Sequence, residues 1–563
     1  MGSDDSAYWA ARQDVALLDM TLGALLDRQA VTFAERTAVV VSERDRGMQT
    51  RWTYAELRDR TRRLAKGLMA VGIQVGERVG VMSANRAEWI LLEYALARIG
   101  AVLVTVNPAL KAREVDYLLT QGRVNHLVFA ARFRTMDIAA LIAGLLKDAQ
   151  QVGAGQIASA RFPDLRGLIA LDPGFGMALS FAGLDALADD VSDAALAARQ
   201  AGVQPRDVMQ IQYTSGTTGR PKGAMLTHHS TTNNARLMGQ RAGFTPDDVL
   251  LSAMPLFHTA GCVCNVLGML NAGGCVVVVD DFDPAYMLEQ WERHRATIIN
   301  GVPTMYSRLL DHPDFATRQT DSLRITFMGG TSIPPSLVDR FCTATGSAPM
   351  IIMGMTECSP IITQTCPGDA YDTRIATAGT PLPQTDIKII DPATGSTVRW
   401  GAAGELCIRG YLLTKGYFDM PDATAGAIDA DGWLHSGDLA VLDRSGHLQI
   451  VGRIKDMIIR GGENVFPVEI EDLLLEHPDV AQAQVVGVPD PDLGEEIFAF
   501  VLCRTGAVVS PDEIRAFCRA NLARHKLPRY VHALAAFPMT ANGKIQKFTL
   551  RDMALDLMKS DAI

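Results

Sequence analysis

The chain lacks any uninterrupted apolar run of the roughly 18 residues that a membrane-spanning helix requires. The best candidate, Trp89 to Val106, is broken by Glu93 and Arg98 and reads as a helix followed by a strand, so no integral membrane segment is expected. It also lacks a basic excess: 53 Lys+Arg stand against 63 Asp+Glu, for a formal charge of −10. That sign disfavours broad binding to nucleic acid or anionic membrane, while a local basic pocket can still hold a phosphate. No Cys-x-x-Cys pair occurs among the nine cysteines, which lie scattered in apolar stretches. They read as small buried hydrophobes of a reducing compartment, and neither a zinc site nor a disulfide framework is expected. The acidic N-terminus has no basic stretch leading into an apolar core, so a cytoplasmic protein without a secretory signal is expected.

What is present is globular. With 48% hydrophobic and 21% charged residues, the chain is neither disordered nor fibrous. Its 563 residues are too many for one ordinary domain. Leu57, Thr61, Leu64 and Leu68 mark one face of a helix over Tyr54 to Val71. A strand at Arg78–Met82, a helix at Ala87–Arg98 and a strand at Ala101–Val106 follow, the alternation of a parallel sheet. The same rhythm returns at Cys275–Val279, Met287–His294 and Thr297–Ile299. Two short strands, Ile325–Met328 and Met350–Met353, run directly into glycines, and such turns at the carboxyl ends of strands are candidate binding loops.

Beyond Asp391 the pattern changes to Gly-rich turns and short β segments, and after Gly452 to a compact α+β unit. The fold class expected is α/β: a large N-terminal domain of parallel-sheet subdomains plus a small β-rich subdomain over 1–452, a hinge at 453–457, and a smaller mobile α+β C-terminal domain over 458–563. Residues Lys147 to Phe162 read as a surface excursion.

The most informative segment is Tyr213-Thr-Ser-Gly-Thr-Thr-Gly-Arg-Pro-Lys-Gly223. Gly216 and Gly219 let backbone N–H groups converge, Thr214, Ser215, Thr217 and Thr218 add hydroxyls, and Lys222 adds positive charge, a combination suited to a polyphosphate. The Gly-Lys-Ser/Thr spacing of a Walker A loop is missing. Other groups fit a nucleotide site: a hydroxyl and carboxylate in Gly354-Met-Thr-Glu357, a glycine turn in Gly329-Gly330-Thr331, an acceptor carboxylate in Gly432-Trp-Leu-His-Ser-Gly-Asp438, and the donor fork of Arg453. Taken singly, Glu357 fits the first turn of a helix, and Asp438 with Arg453 fits a salt bridge.

The phosphate-type loop resembles the signature of the acyl-adenylate-forming superfamily, and its other motifs occur in order over residues 50–547. The resemblance implies that Lys222 and Thr356 contact phosphate, that Glu357 holds Mg2+, that Gly330, Thr331, Met353 and Gly354 border adenine, and that Asp438 and Arg453 hold the ribose. Where the family usually has an aromatic residue before Gly354, this chain has Met353. Met254-Pro-Leu-Phe-His258 matches a segment beside the acyl pocket, for which His258, Val302, Gly329 and Met353 are the expected lining. The family places its hinge at the position of Lys455. Gly461 and Gly462 resemble the loop past which the CoA arm threads, although a hairpin turn accounts for them equally. Lys544, in Pro538-Met-Thr-Ala-Asn-Gly-Lys544, matches the lysine that acts during adenylation.

The reading is therefore an ATP-dependent carboxylic acid–CoA ligase, similar to fatty acyl-CoA synthetases and most like medium-chain members, with ATP, Mg2+ and coenzyme A as its small molecules and a homodimer as an open assembly state. An aryl acid–CoA ligase, or an adenylating enzyme that loads a carrier-protein thiol, remains alternative. A noncatalytic ATP-responsive protein would be expected to have lost some of Lys222, Glu357, Asp438, Arg453 and Lys544, all of which are present.

Overall fold

The structure, a computed structural model, describes residues 5–214, 220–331, 333–504, 506–539 and 545–559. The chain forms two compact units. The larger comprises Ala10–Asp386 and Ile408–Leu434, the smaller Met1–Trp9, Ile387–Cys407 and His435–Ile563.

Two mixed sheets dominate the larger unit. The first runs in the order Lys222–Thr227, Val208–Thr214, Val102–Val106, Arg78–Met82, His126–Phe129, Gly167–Ala170, Gln156–Ala158, Gln150–Gly153. Its centre is parallel and its outer pairs are antiparallel. In the second, Val249–Ser252, Ile298–Gly301, Ile325–Met328 and Ala348–Gly354 are consecutive parallel neighbours.

Helices form where the apolar spacing anticipates them. Tyr54–Ala70 starts at a capping box, Thr53 accepting from the Glu56 N–H while the Glu56 carboxylate accepts from the Thr53 N–H, and buries Leu57, Thr61, Leu64 and Leu68. Ala87–Ile99 is buried at every residue except Glu88, so its two internal ionisable side chains, Glu93 and Arg98, need polar partners. Arg98 donates to Asp27 at 2.8 Å, and Glu93 accepts from Gln210 at 2.5 Å. Burial pushes the Glu93 carboxyl up to about 8.

Residues 147–162 are largely exposed, as expected of a surface excursion, but they are regular rather than irregular. They supply the strands Gln150–Gly153 and Gln156–Ala158 at the sheet edge, and Ile157 and Phe162 enter the core. Alternation over so few residues is too short to mark an edge strand against a loop.

In the smaller unit two antiparallel hairpins, Ile458–Arg460 with Glu463–Val465 and Val480–Asp490 with Gly494–Cys503, join edge to edge where Ile458–Arg460 pairs antiparallel with Gly494–Cys503, and Tyr530–Ala533 adds in parallel to Gly494–Cys503. Ile470 and Leu474 of the helix Pro467–Leu475 pack with Val485, Ile497 and Ala499, while Leu550 and Ala554 of the helix Lys547–Lys559 pack with Val486, Phe498 and Phe500. The alternation of β-branched and aromatic residues along both long strands thus gives a sheet covered on both faces. The molecule is a mixed α/β protein.

Candidate active site

Four neighbouring parallel strands of the larger unit deliver the expected residues to one sheet edge. Val249–Ser252 leads to Met254 and His258, Ile298–Gly301 to Val302, Ile325–Met328 to Gly329 and Gly330, and Ala348–Gly354 to Thr356 and Glu357. This is the carboxyl edge, where open α/β sheets bind ligands. The backbone there is closely packed. A Cβ on Gly329 would lie 2.6 Å from the Ile352 side chain and 2.9 Å from its carbonyl oxygen, and one on Gly354 would meet the Pro360 carbonyl. Gly330 holds φ at +87°, with Val302 Cγ1 3.6 Å from where its Cβ would sit. Gly330 and Thr331 are exposed, and Met353 is half-buried against Thr363 of the antiparallel neighbour.

His258 sits half-buried in a turn whose carbonyl accepts from the Gly261 and Cys262 N–H groups, and its Nδ1 accepts from the Ala260 N–H at 3.4 Å. A π-helix, Ala260–Leu267, begins immediately after it.

The phosphate-type loop belongs to a hairpin in which Thr214 pairs with Lys222. Ser215, Gly216, Thr217, Thr218 and Gly219 lie outside the described residues. The two ends of the loop are described, and Glu357 lies against the Thr214 end. Its carboxylate is buried, and Oε1 accepts from Tyr417 Oη at 2.8 Å and from Thr214 Oγ1 at 3.4 Å. The Glu357 carbonyl accepts from the Thr414 N–H at 2.7 Å. Residues 414–418 run along the strand Lys222–Thr227, with the Phe418 N–H donating to Gly223 and the Met225 N–H to Gly416. That register brings the Tyr417 ring 5.1 Å from Lys222 Nζ. Burial, then the charge of Glu357, raises the Tyr417 phenol well above its ordinary value, so it remains a donor.

A buried carboxylate flanked by hydroxyl groups is a hard-oxygen donor set. It suits Mg2+, which binds through one or two carboxylates together with waters and substrate phosphates. Glu357 is the residue that would hold it.

In the smaller unit, Asp438 and Arg453 face one another across antiparallel strands, Arg453 Nε donating to Asp438 Oδ1 at 2.8 Å. The turn before Asp438 is fixed by the Gly437 N–H to Glu405 Oε1 at 3.0 Å and by Ser436 Oγ to the Leu406 carbonyl at 2.6 Å. His435 Nδ1 stands 3.1 Å from Glu405 Oε2 and 3.6 Å from Cys407 Sγ. Lys455 is exposed on a short turn, Ile454–Asp456. Gly461 and Gly462 are the two-residue loop of a hairpin, Arg460 pairing with Glu463, with φ of +60° and +85°. Two consecutive positive φ values define a type I′ turn, which favours glycine whatever passes beside it. Lys544 lies outside the described residues.

Tyr417, Thr414 and Glu405 are supporting residues that the motif reading does not find. Tyr417 stands in a Gly-Tyr-Phe stretch with no periodic signal, and only the pairing of 414–418 with a strand about 190 residues earlier brings it to Glu357.

The chain is similar to known proteins over most of its length. The sequence model of the AMP-binding enzyme family matches residues 26–418, and that of the AMP-binding enzyme C-terminal domain matches residues 469–544. YngI of Bacillus subtilis strain 168, which carries an acyl-CoA synthetase name, is 41% identical over 543 residues, covering 96% of this chain and 98% of that protein. The mitochondrial medium-chain acyl-CoA ligase ACSF2 of Rattus norvegicus is 34% identical over 553 residues, covering 97% and 89%. The crystal structure of the anthranilate CoA ligase AuaEII in complex with anthranoyl-AMP superposes with a TM-score of 0.83 at 26% identity, covering 96% of this chain and 98% of that one. The chain belongs to the AMP-binding enzyme family, among its acid–thiol ligases.

Proposed function

We propose that this protein is an ATP-dependent acid–CoA ligase that joins a carboxylic acid to AMP with release of pyrophosphate, then transfers the acyl group to CoA with release of AMP. The observation that carries the reading is the buried Glu357 carboxylate, which accepts from Thr214 at one end of a hydroxyl-rich, lysine-bearing hairpin and is linked through Tyr417 to Lys222 at the other.

The substrate carboxylate is already ionised near neutral pH, so it attacks the α-phosphorus without a base, and His258 is a pocket-lining ring. Neither half-reaction needs a covalent protein nucleophile. Catalysis comes from positioning the acid and ATP and from opposing the phosphate charge. Lys222 and the 214–219 segment bind phosphate, Thr356 donates to it, and Glu357 holds Mg2+, which when bound neutralises phosphate charge. Gly330, Thr331, Met353 and Gly354 border adenine, and Asp438 and Arg453 orient the ribose. Val302, Gly329 and Met353 line the acyl chain.

In this reading residues 1–452 bind acid and nucleotide, 453–457 form a hinge at Lys455, and 458–563 act as a lid. The lid brings Lys544 to the adenylation step and the Gly461-Gly462 turn to the CoA step, which requires it to reorient between them. The reaction takes place in the cytoplasm, and no described helix is long and apolar enough to cross a membrane.

The acid is a medium-chain fatty acid, supported by the full-length likeness to the rat medium-chain ligase. An aromatic acid is the second reading, favoured by the likeness to the anthranilate ligase. Assaying short-, medium- and long-chain and aromatic acids for AMP release, with free CoA, with a carrier protein and with neither, separates these readings. Strong stimulation by free CoA with medium-chain acids is expected, and transfer only to the carrier protein would overturn the choice of acceptor.

A further inference from the structure

Glu357 sits on a short turn rather than within a long helix, so its carboxylate needs support from elsewhere in the fold. That support comes from the segment 414–418, remote in sequence. The Thr414 N–H holds the Glu357 backbone, and Tyr417 Oη holds its side chain. The same Tyr417 ring underlies the Lys222 ammonium at 5.1 Å. Tyr417 is itself fixed, 9% exposed, with its N–H donated to Thr424 Oγ1 at 2.9 Å and its ring packed with Ala224 and Leu226.

One phenol thus touches both the carboxylate and the cation of the site. We infer that Tyr417 is a positioning residue that presents the Glu357 carboxylate to Mg2+ through its hydroxyl and steadies Lys222 for phosphate through its ring face. The inference rests on the proposed function and extends it to the metal dependence of nucleotide binding. A hydrogen bond to a charged group, lost in a buried setting, corresponds to roughly a tenfold effect or more. The ring contact is smaller, about two- to fivefold.

The test separates the two contacts. Tyr417→Phe removes the hydroxyl and keeps the ring, and Tyr417→Leu removes both. ATP binding to the whole protein is measured by calorimetry in EDTA and in excess Mg2+, with no acid present, alongside the Mg2+ concentration giving half-maximal ATP–pyrophosphate exchange. For Tyr417→Phe we expect ATP affinity in EDTA to match the unsubstituted protein, the Mg2+-dependent gain in affinity to fall about tenfold, and the half-maximal Mg2+ concentration to rise in step. Tyr417→Leu should in addition weaken metal-free ATP binding. Adding Tyr417→Phe to Glu357→Gln should produce no further loss of Mg2+ dependence, because the hydroxyl then has no carboxylate to position. An unchanged Mg2+ dependence in Tyr417→Phe, or full additivity with Glu357→Gln, would overturn the inference. If the unsubstituted protein shows no Mg2+-assisted ATP binding, the proposed function itself fails.

Discussion

Thr214 and Lys222 are register partners on antiparallel strands, so one hydroxyl and one ammonium stand at the two ends of the loop between them. The hairpin therefore fixes where positive charge enters the site before any ligand arrives. Lys222→Met keeps the length of the side chain and removes its charge. ATP–pyrophosphate exchange should fall by about 100- to 1,000-fold, the usual effect of deleting one preorganised electrostatic group, with little change in Tm. Exchange within a few-fold of the unsubstituted rate would remove Lys222 from the phosphate site.

Asp438 and Arg453 form an ion pair between a buried carboxylate and an arginine side chain that is 54% exposed; water screens the open arginine, and an asparagine would keep an oxygen to accept from Arg453 Nε. Asp438→Asn should accordingly leave Tm nearly unchanged while raising the KM for ATP by roughly tenfold, the effect of weakening one charge-assisted hydrogen bond to a ribose hydroxyl. A fall in Tm with KM unchanged would mark the pair as purely structural.

Lys544→Ala should abolish acyl-adenylate formation from acid and ATP yet still convert supplied acyl-adenylate and CoA into thioester. Single-turnover measurement of each half-reaction decides it, and equal loss in both would refute a role specific to adenylation.

The position of a Cβ on Gly462 has nothing within 4 Å in its own unit, but its φ of +85° disfavours a side chain. Gly462→Trp should leave ATP–pyrophosphate exchange within a few-fold of normal while acyl-CoA output collapses. Gly462→Asn, which tolerates the same backbone angle, separates strain from obstruction. Equal loss of thioester in both variants would point to the turn itself.

Glu93 gives a pH signature independent of catalysis. Its carboxyl is held up near 8, against 4.5 for an unperturbed group, so the folded chain keeps a proton that the unfolded chain releases. Stability must then fall as pH rises between those values. Glu93→Gln removes the titration while keeping the oxygen that accepts from Gln210. The stability of the variant relative to the unsubstituted protein should rise between pH 5 and pH 8 by ~3 kcal/mol, read by denaturant unfolding at each pH. A difference that does not vary with pH would show Glu93 ionised in the fold.

Much of this architecture is visible in the sequence because its signals are local. Arg78–Met82, Cys275–Val279 and Ile325–Met328 are apolar β-rich runs between clear breakers, and each is a strand with those bounds. The glycines after Met328 and Met353 mark loops at strand ends for the same reason. Long-range pairing has no such local signal. Nothing near Tyr417 announces Glu357, and nothing near Glu405 announces the Gly437 turn, because each contact depends on the register of strands far apart in the chain. Gln150–Gly153 and Gln156–Ala158 are hidden for a related reason. An exposed edge strand needs little apolar alternation when only residues such as Ile157 reach the core.

The most direct test of the central claim is the product balance of one reaction: purified protein, a medium-chain acid, CoA and Mg2+ with ATP, with all nucleotides and thioester quantified together. The account predicts AMP, pyrophosphate and acyl-CoA in equal amounts, each dependent on the acid. Formation of ADP and inorganic phosphate with the thioester, or AMP release indifferent to the acid, would contradict it.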